Sequence, residues 1–124
     1  MTVLVDTSIW IGHFRKADTA LAGLLDDEQV LTHPFVVGEL ACGQIRHRNK
    51  IIELLAALPA TTRAGDDEVL FLIDKHRLMG SGLGLIDVHL LASCLTDGCQ
   101  LWTADRALAA AASQMRINWG PQRR

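Results

Sequence analysis

Residues 2–8 read Thr-Val-Leu-Val-Asp-Thr-Ser. The part up to Val5 is short, apolar and rich in β-branched side chains, which is typical of a buried strand. Asp6, Thr7 and Ser8 end this run, and small polar residues of this kind mark the N-terminus of a helix. The stretch therefore predicts a buried strand that turns directly into a helix, with Asp6 at the turn.

Further short runs of strand-forming residues follow along the chain. They predict strands over residues 29–32, 100–103 and 115–119, and an edge strand with a weaker signal over 59–62. The helical spacing of apolar residues and the capping residues predict helices over residues 8–15, 19–25, 34–41, 51–58, 66–78, 85–96 and 105–112. Strands that alternate with helices imply an α/β fold, with a central parallel sheet of four to five strands and helices on both faces.

The size and composition are those of an ordinary globular protein. The 124 residues fit a single domain over 1–124, and 49% of them are hydrophobic, enough for one core. The apolar runs are far too short to cross a membrane, and the N-terminus lacks the pattern of a signal peptide. We therefore expect a cytoplasmic protein without a membrane segment, and a flexible tail over residues 120–124.

Cysteine and histidine residues predict neither a disulfide framework nor a zinc site. The three cysteines, Cys42, Cys94 and Cys99, form no C-x-x-C pair, so we expect buried, reduced thiols. No histidine has the spacing of a zinc ligand, and His89 would point away from Asp87 on a helix.

Two acidic residues follow predicted strands. Asp6 ends the first strand, and Asp105 follows the strand over 100–103. In open parallel sheets, ligands bind at the carboxyl ends of the strands, so the two carboxylates could share a crevice. Asp is also a good helix N-cap, and for each residue taken singly the cap is the favoured interpretation.

Two more acidic residues stand in apolar helices. Glu39 is the only charged residue from Pro34 to Ile45, and Asp87 is the only one from Gly80 to Thr96. Ionised carboxylates are almost never fully buried unless they are paired or bind a metal. No Lys or Arg lies three or four residues from Asp87. Asp87 therefore favours a functional role, whereas Glu39 fits a functional role and a polar helix edge equally well.

Four carboxylates in one pocket would need a cation. At about 5 Å and an effective dielectric near 20, each pair repels by about 3 kcal/mol. Oxygen ligands suit Mg²⁺ or Mn²⁺. Such an ion could activate water toward a phosphodiester and neutralise charge on the leaving oxygen.

The net charge gives little information about an RNA substrate. It is −2, but setting aside the four acids leaves 14 − 4 = 10 acidic residues against 12 Lys and Arg. The remainder of +2 neither supports nor excludes nucleic acid as a partner.

In order, spacing and chain length, these motifs resemble the PIN-domain ribonucleases, and most closely the VapC-type toxins of toxin–antitoxin pairs. The resemblance covers Thr2 to about Trp119 and implies an α/β/α sandwich that cleaves RNA with Mg²⁺ or Mn²⁺. The matching segments are Val5-Asp6-Thr7-Ser8, Val37-Gly38-Glu39-Leu40, Leu85-Ile86-Asp87-Val88-His89-Leu90-Leu91-Ala92 and Leu101-Trp102-Thr103-Ala104-Asp105.

The resemblance also implies roles for single residues. Asp6, Glu39, Asp87 and Asp105 would be catalytic, the three aspartates would bind the metal, and the hydroxyls of Thr7 and Thr103 would hold a carboxylate or water. Many relatives carry a further acid shortly after the fourth one. Here Arg106-Ala107-Leu108 follows Asp105, which favours one firmly held metal over two.

Two kinds of protein partner follow from the resemblance as well. Members of the family commonly form homodimers and are silenced by a small antitoxin. An apolar groove for an antitoxin helix is one interpretation of a set of residues near the N-terminus, and a place in the core is the other. These residues are Trp10, Ile11, Phe14, Leu21 and Leu24.

Other function classes fit the chain less well. A phosphoacceptor receiver domain would need two adjacent acids after the first strand, and a haloacid-dehalogenase-type phosphatase would need an acid where Ser8 stands. The glycine-rich segment 80–84 lacks the Lys-Ser/Thr of a phosphate loop. A PIN-like fold that serves as a non-catalytic binding or scaffold module remains an alternative.

Overall fold

The computed structural model describes residues 1–121, and the end of the predicted tail, residues 122–124, lies outside this range. Three short strands form a parallel sheet in the order β2-β1-β3. Their bounds are Val3–Val5 for β1, Val30–Leu31 for β2 and Gln100–Trp102 for β3. All three side chains of β1 are fully buried. The stretch that opens the sequence is therefore the central strand, as its apolar composition predicts.

The sheet has fewer strands than the predicted four to five. The segments predicted as outer strands form only single parallel bridges, Thr32 to Ala60 at one edge and Leu101 to Asn118 at the other. Pro59 has no backbone N–H to donate, and Arg116 adopts a left-handed conformation with φ 60°. Neither segment therefore continues as a regular strand.

Seven helices surround the sheet in the described part of the chain. They are α1 Thr7–Arg15, α2 Thr19–Asp26, α3 Pro34–Cys42, α4 Arg48–Ala56, α5 Asp66–His76, α6 Leu85–Asp97 and α7 Arg106–Gln114. Asp18 caps α2 and Pro34 occupies the first turn of α3, so both helices begin where the sequence predicts, at residues 19 and 34. Helix α4 begins at Arg48, before the predicted start at residue 51. Its first turn, Arg48-Asn49-Lys50, is polar and therefore lacks the helical spacing of apolar residues on which the prediction rests.

Burial separates the predicted core residues from the exposed ones. In α6, every residue from Val88 to Cys94 is buried, which confirms the expected burial of this helix. Cys94 and Cys99 are buried free thiols as expected, but Cys42 is exposed, so the prediction was wrong for this residue. Cys42 is the last residue of α3, where the helix runs out into solvent. No helix within residues 1–121 combines the length and the apolar character that a membrane span requires.

Candidate functional site

The parallel pairing of β1 and β3 brings two of the predicted site residues together. Val5 is in register with Trp102, and the backbone N–H of Asp6 donates to the carbonyl of Trp102 at 2.9 Å. The residues that follow each strand, Asp6 and Thr103, therefore emerge side by side at the carboxyl edge of the sheet. Both are buried.

Three donors hold the Asp6 carboxylate in one orientation. The hydroxyl of Thr103 donates to Oδ2 at 2.7 Å, and the hydroxyl of Ser8 donates to the same oxygen at 3.0 Å. The backbone N–H of Thr7 donates to Oδ1 at 2.8 Å, so Asp6 also caps α1. The cap and the site are therefore two roles of one side chain.

Ser8 is the residue whose role the sequence analysis missed. Its hydroxyl donates to Asp6 and accepts from the backbone N–H of Ala104 at 3.0 Å. It thus joins the start of α1 to the loop after β3. The Asp-Thr-Ser motif contains the signal, but the partner Ala104 lies 96 residues away and only the folded chain identifies it.

Thr103 connects Asp6 to Asp105. Its hydroxyl oxygen accepts from the backbone N–H of Asp105 at 3.1 Å while its hydrogen points to Asp6. Asp105 itself is exposed and caps α7, because Oδ1 accepts from the backbone N–H groups of Ala107 and Leu108 at 2.8 and 3.3 Å. The predicted cap is present, and Thr103 links the backbone of Asp105 to the carboxylate of Asp6.

Glu39 reaches the same network through Thr7. The Thr7 hydroxyl donates to Glu39 Oε1 at 3.0 Å across 32 residues of sequence. Glu39 is exposed on α3, so this acid lies at a solvent-facing edge of its helix while contacting the neighbour of Asp6. The two threonines that the resemblance singled out each hold one of the four carboxylates.

Asp87 lies in the first turn of α6 and is half-buried. Burial raises its pKa, a hydrogen bond from the Gly84 backbone N–H lowers it, and the negative charges of Asp6 and Asp105 raise it further. The net pKa is above the usual value. The bond to Gly84, at 3.0 Å, is a helix cap that the sequence analysis did not predict. The charges of Asp6 and Asp105 thus lie near enough to Asp87 to disfavour its ionisation.

The four acidic side chains have the right chemistry to bind a hard divalent cation, but they lie too far apart to bind one in this arrangement. All four side chains offer carboxylate oxygens, and the added cost of ionising Asp87 is the kind of strain that a cation relieves. In residues 1–121, no three His, Cys, Asp or Glu side chains converge closely enough to form a ready-made metal site. A bound Mg²⁺ or Mn²⁺ would need the carboxylates to turn inward.

The set predicted as an antitoxin groove divides between core and surface. Trp10 and Leu21 are buried, so of the two interpretations a place in the core applies to them and the groove does not. Leu24 is partly buried and packs against that core. Ile11 and Phe14, by contrast, line an open groove. Its remaining lining residues are Arg15, Gly43, Gln44, Ile45, Arg46, His47 and Ile51.

Comparison with known sequences identifies the family. The sequence model of the PIN-domain family matches residues 3–114 of this chain. Two proteins named Ribonuclease VapC32, from two strains of Mycobacterium tuberculosis, are 46% identical to this chain over 116 residues. The aligned region covers 93% of this chain and 94% of each relative. The similarity therefore extends over nearly the whole of both chains.

Solved structures show the same fold. A structure of VapBC-1 from nontypeable Haemophilus influenzae matches with a TM-score of 0.70 at 16% identity and covers 97% of both chains. The crystal structure of PAE2754 from Pyrobaculum aerophilum matches with a TM-score of 0.63 at 16% identity, over 90% of this chain and 84% of that one. With the sequence similarity, this shows that the chain belongs to the PIN-domain family, as one of its VapC-type members.

Proposed function

We propose that this chain is a metal-dependent endoribonuclease that acts in the cytoplasm as the toxin of a VapBC-type pair. One observation carries the catalytic part of the proposal. Asp87 is a half-buried carboxylate whose pKa is raised first by burial and then by two other carboxylates, Asp6 and Asp105, which follow two paired strands. Perturbed acids gathered at the carboxyl edge of a parallel sheet are typical of a catalytic site. The relatives that share 46% of its residues are named ribonucleases.

The metal would be held by Asp6, Asp87 and Asp105. When bound, Mg²⁺ or Mn²⁺ supplies a Lewis acid that favours ionisation of water and neutralises charge on the phosphate. Thr103 and Ser8 keep Oδ2 of Asp6 in one orientation, and Thr103 positions the Asp105 backbone. The threonine and serine hydroxyls therefore prearrange two of the three ligands.

Glu39 has a different role in this proposal. Thr7 holds its Oε1, and the side chain is exposed to solvent on the edge of the acidic network. We assign to Oε2 the proton released by the water that attacks phosphorus. The attack breaks the phosphorus–oxygen bond to the leaving nucleotide, the leaving oxygen takes up a proton from solvent water, and both RNA fragments diffuse away. Because Arg106-Ala107-Leu108 follows Asp105 and supplies no further acid to hold a second cation, we propose one metal.

The antitoxin would dock in the groove lined by Ile11 and Phe14. Ile45 and Ile51 add apolar surface, and Arg15 lies at the same groove. This combination suits an amphipathic segment that presents an apolar face with acidic neighbours. The groove begins one helical turn beyond Thr7 in α1, so an occupant would lie close to the acidic site. A structure with the same fold, that of VapBC-1 from nontypeable Haemophilus influenzae, supports a partner of this kind.

The decisive experiment measures cleavage of single-stranded RNA by the purified protein. We expect cleavage with Mg²⁺ or Mn²⁺, none after EDTA, and none by the Asp6→Asn/Asp87→Asn double variant. Sequencing of RNA ends after expression of wild type and Asp87→Asn would identify the bond that is cut. Equal cleavage by wild type and the double variant would contradict the proposal. A folded protein that never cleaves RNA would instead favour the scaffold alternative.

A further inference from the structure

Arg63 stands in the segment that follows the single bridge at one edge of the sheet. Ala60 pairs in parallel with Thr32, the residue after β2. Because this pairing is parallel, the chain leaves Ala60 at the same carboxyl edge where Asp6 follows β1 and Asp105 follows β3. Arg63 comes three residues later, close to the edge at which parallel sheets bind ligands.

The backbone that carries Arg63 is held in place by helix α6. The N–H of Thr62 donates to the Asp97 carboxylate at 2.7 Å, and the carbonyl of Thr62 accepts the Ser93 hydroxyl at 2.6 Å. Ala64, the residue after Arg63, is buried. The path of the chain through Arg63 is therefore set before any ligand binds, which lowers the entropy cost of binding.

The side chain of Arg63 is exposed to solvent and is oriented by an aromatic ring. Its guanidinium carbon lies 4.6 Å from the centre of the Phe35 ring. That ring packs edge-to-face against His89, with 4.8 Å between the ring centroids. A contact through the ring face leaves the N–H donors of the guanidinium available, and their planar fork matches the oxygens of a phosphate. Arg63 is thus a positioned cation that suits an anion from outside the chain.

The pair formed by Arg63 and Phe35 lies beside the acidic network. Phe35 comes four residues before Glu39 on the same side of α3, or about 6 Å along the helix axis. His89, which contacts Phe35, lies two residues after Asp87 in α6. The bridged segment is two strand positions from β1, or about 10 Å across the sheet. One strand of RNA can therefore span the acids and this cation.

We propose that Arg63 binds a phosphate of the RNA strand that flanks the cleaved phosphate, and so positions the strand across the acidic site. This inference rests on the proposed nuclease function and adds a substrate-binding residue to it. An RNA strand is a row of phosphates, and a single metal can neutralise only the one that is attacked. The acidic network itself repels the neighbouring phosphates, so a fixed positive charge at its side supplies the attraction that the strand needs.

The first test measures RNA binding without cleavage, in the Asp87→Asn protein with Mg²⁺ and a fluorescent single-stranded RNA. Adding Arg63→Gln should weaken binding about tenfold at low salt and reduce the slope of log affinity against log salt by about 0.7, the value for one phosphate contact. The matched control is Arg116→Gln. Arg116 is exposed and precedes Asn118, the bridge partner of Leu101, so it lies toward the opposite edge of the sheet. The control should leave the slope unchanged.

Two further variants in the same background separate this role from a structural one. Arg63→Lys keeps the charge and should keep the salt slope. Phe35→Leu keeps the arginine but removes the ring that orients it, and should weaken binding about threefold at an unchanged slope. An unchanged affinity and slope in Arg63→Gln would overturn the proposal, and so would an equal loss in Arg116→Gln. A lower Tm of Arg63→Gln with an unchanged slope would show that Arg63 only covers Phe35.

The second test measures cleavage by Arg63→Gln in an otherwise wild-type chain. KM for RNA should rise about tenfold while kcat changes less than about twofold, because the flanking phosphate is bound alike before and during the attack. An unchanged KM would overturn the role of Arg63 and leave the nuclease function intact. Absence of cleavage by wild type would instead refute the nuclease function, and the salt slope would still decide whether Arg63 contacts an RNA phosphate.

Discussion

Thr103 donates its hydroxyl hydrogen to Asp6 at 2.7 Å and thereby joins residues that stand 97 positions apart. The same oxygen accepts the backbone N–H of Asp105, so a single hydroxyl positions two of the acids proposed to bind metal. This arrangement depends on the parallel register of β1 and β3, which places Asp6 and Thr103 at the same edge of the sheet.

Replacement of Thr103 by valine should lower nuclease activity about 10- to 100-fold, because the Asp6 carboxylate and the Asp105 backbone both lose a partner. Thr103→Ser keeps the hydroxyl and should retain most of the activity. The measurement is the rate of RNA cleavage together with Mn²⁺ affinity by calorimetry. Wild-type Mn²⁺ affinity in Thr103→Val would show that the hydroxyl does not organise the site.

Asp87→Asn should stabilise the metal-free protein at neutral pH. The pKa of Asp87 is raised in the folded state, so the native protein retains a proton that the unfolded chain has lost above pH 3.8. The free energy of unfolding therefore falls as pH rises from 3.8 through the pKa of Asp87 in the folded protein. Asparagine carries no charge and so avoids this loss of stability, while its side-chain oxygen can still accept the hydrogen bond from the Gly84 backbone N–H.

The check is the Tm in EDTA at pH 7, with Glu53→Gln, an exposed change on α4, as the neutral control. We expect Asp87→Asn to melt higher than wild type in EDTA, and Mn²⁺ to raise the Tm of wild type more than that of the variant. An unchanged or lower Tm for Asp87→Asn in EDTA would contradict a raised pKa of Asp87 in the folded protein.

His33 should make the protein sensitive to mild acid. It is buried and caps α3, because its Nδ1 accepts from the Phe35 backbone N–H at 3.0 Å. Burial, and then the nearby charges of His89 and Arg63, lower the pKa of His33 from 6.5 to about 4. The unfolded chain therefore binds the proton first, and stability is lost as pH falls from 6.5 toward 4.

The measurement is Tm against pH for wild type and His33→Asn. Asparagine can cap the helix without titrating in this range, so the variant should lose less stability between pH 7 and pH 5. Parallel curves for the two proteins would mean that His33 does not cause the acid sensitivity.

The three cysteines should differ in reactivity. Cys42 is exposed, whereas Cys94 and Cys99 are buried with their sulfurs 3.2 Å apart. The hydrogen bond with Cys99, and then burial, raise the pKa of the Cys94 thiol. A thiol reagent should therefore modify one residue in the folded protein and all three after denaturation. Mass spectrometry identifies the modified residue, and modification of Cys94 before Cys42 would contradict the structure.

Much of the secondary structure could be predicted because its signals are local. Asp18, Pro34 and Gly98 act as helix boundaries through their own chemistry, and the apolar run before Asp6 shows that β1 is buried. The edges of the sheet were harder, because pairing over 59–62 and 115–119 depends on a neighbouring strand and stops after one bridge on each side.

The sequence by itself determined the order of the elements and which acids stand out from apolar surroundings. The tertiary structure decided what each side chain touches. It placed Trp10 and Leu21 in the core and left Phe71 exposed. It also assigned Ser8 to Asp6 and Ala104. The physical reason is that the spacing of apolar residues and helix capping depend on residues a few positions apart. The acidic network depends instead on the register between strands that are nearly a hundred residues apart in the chain.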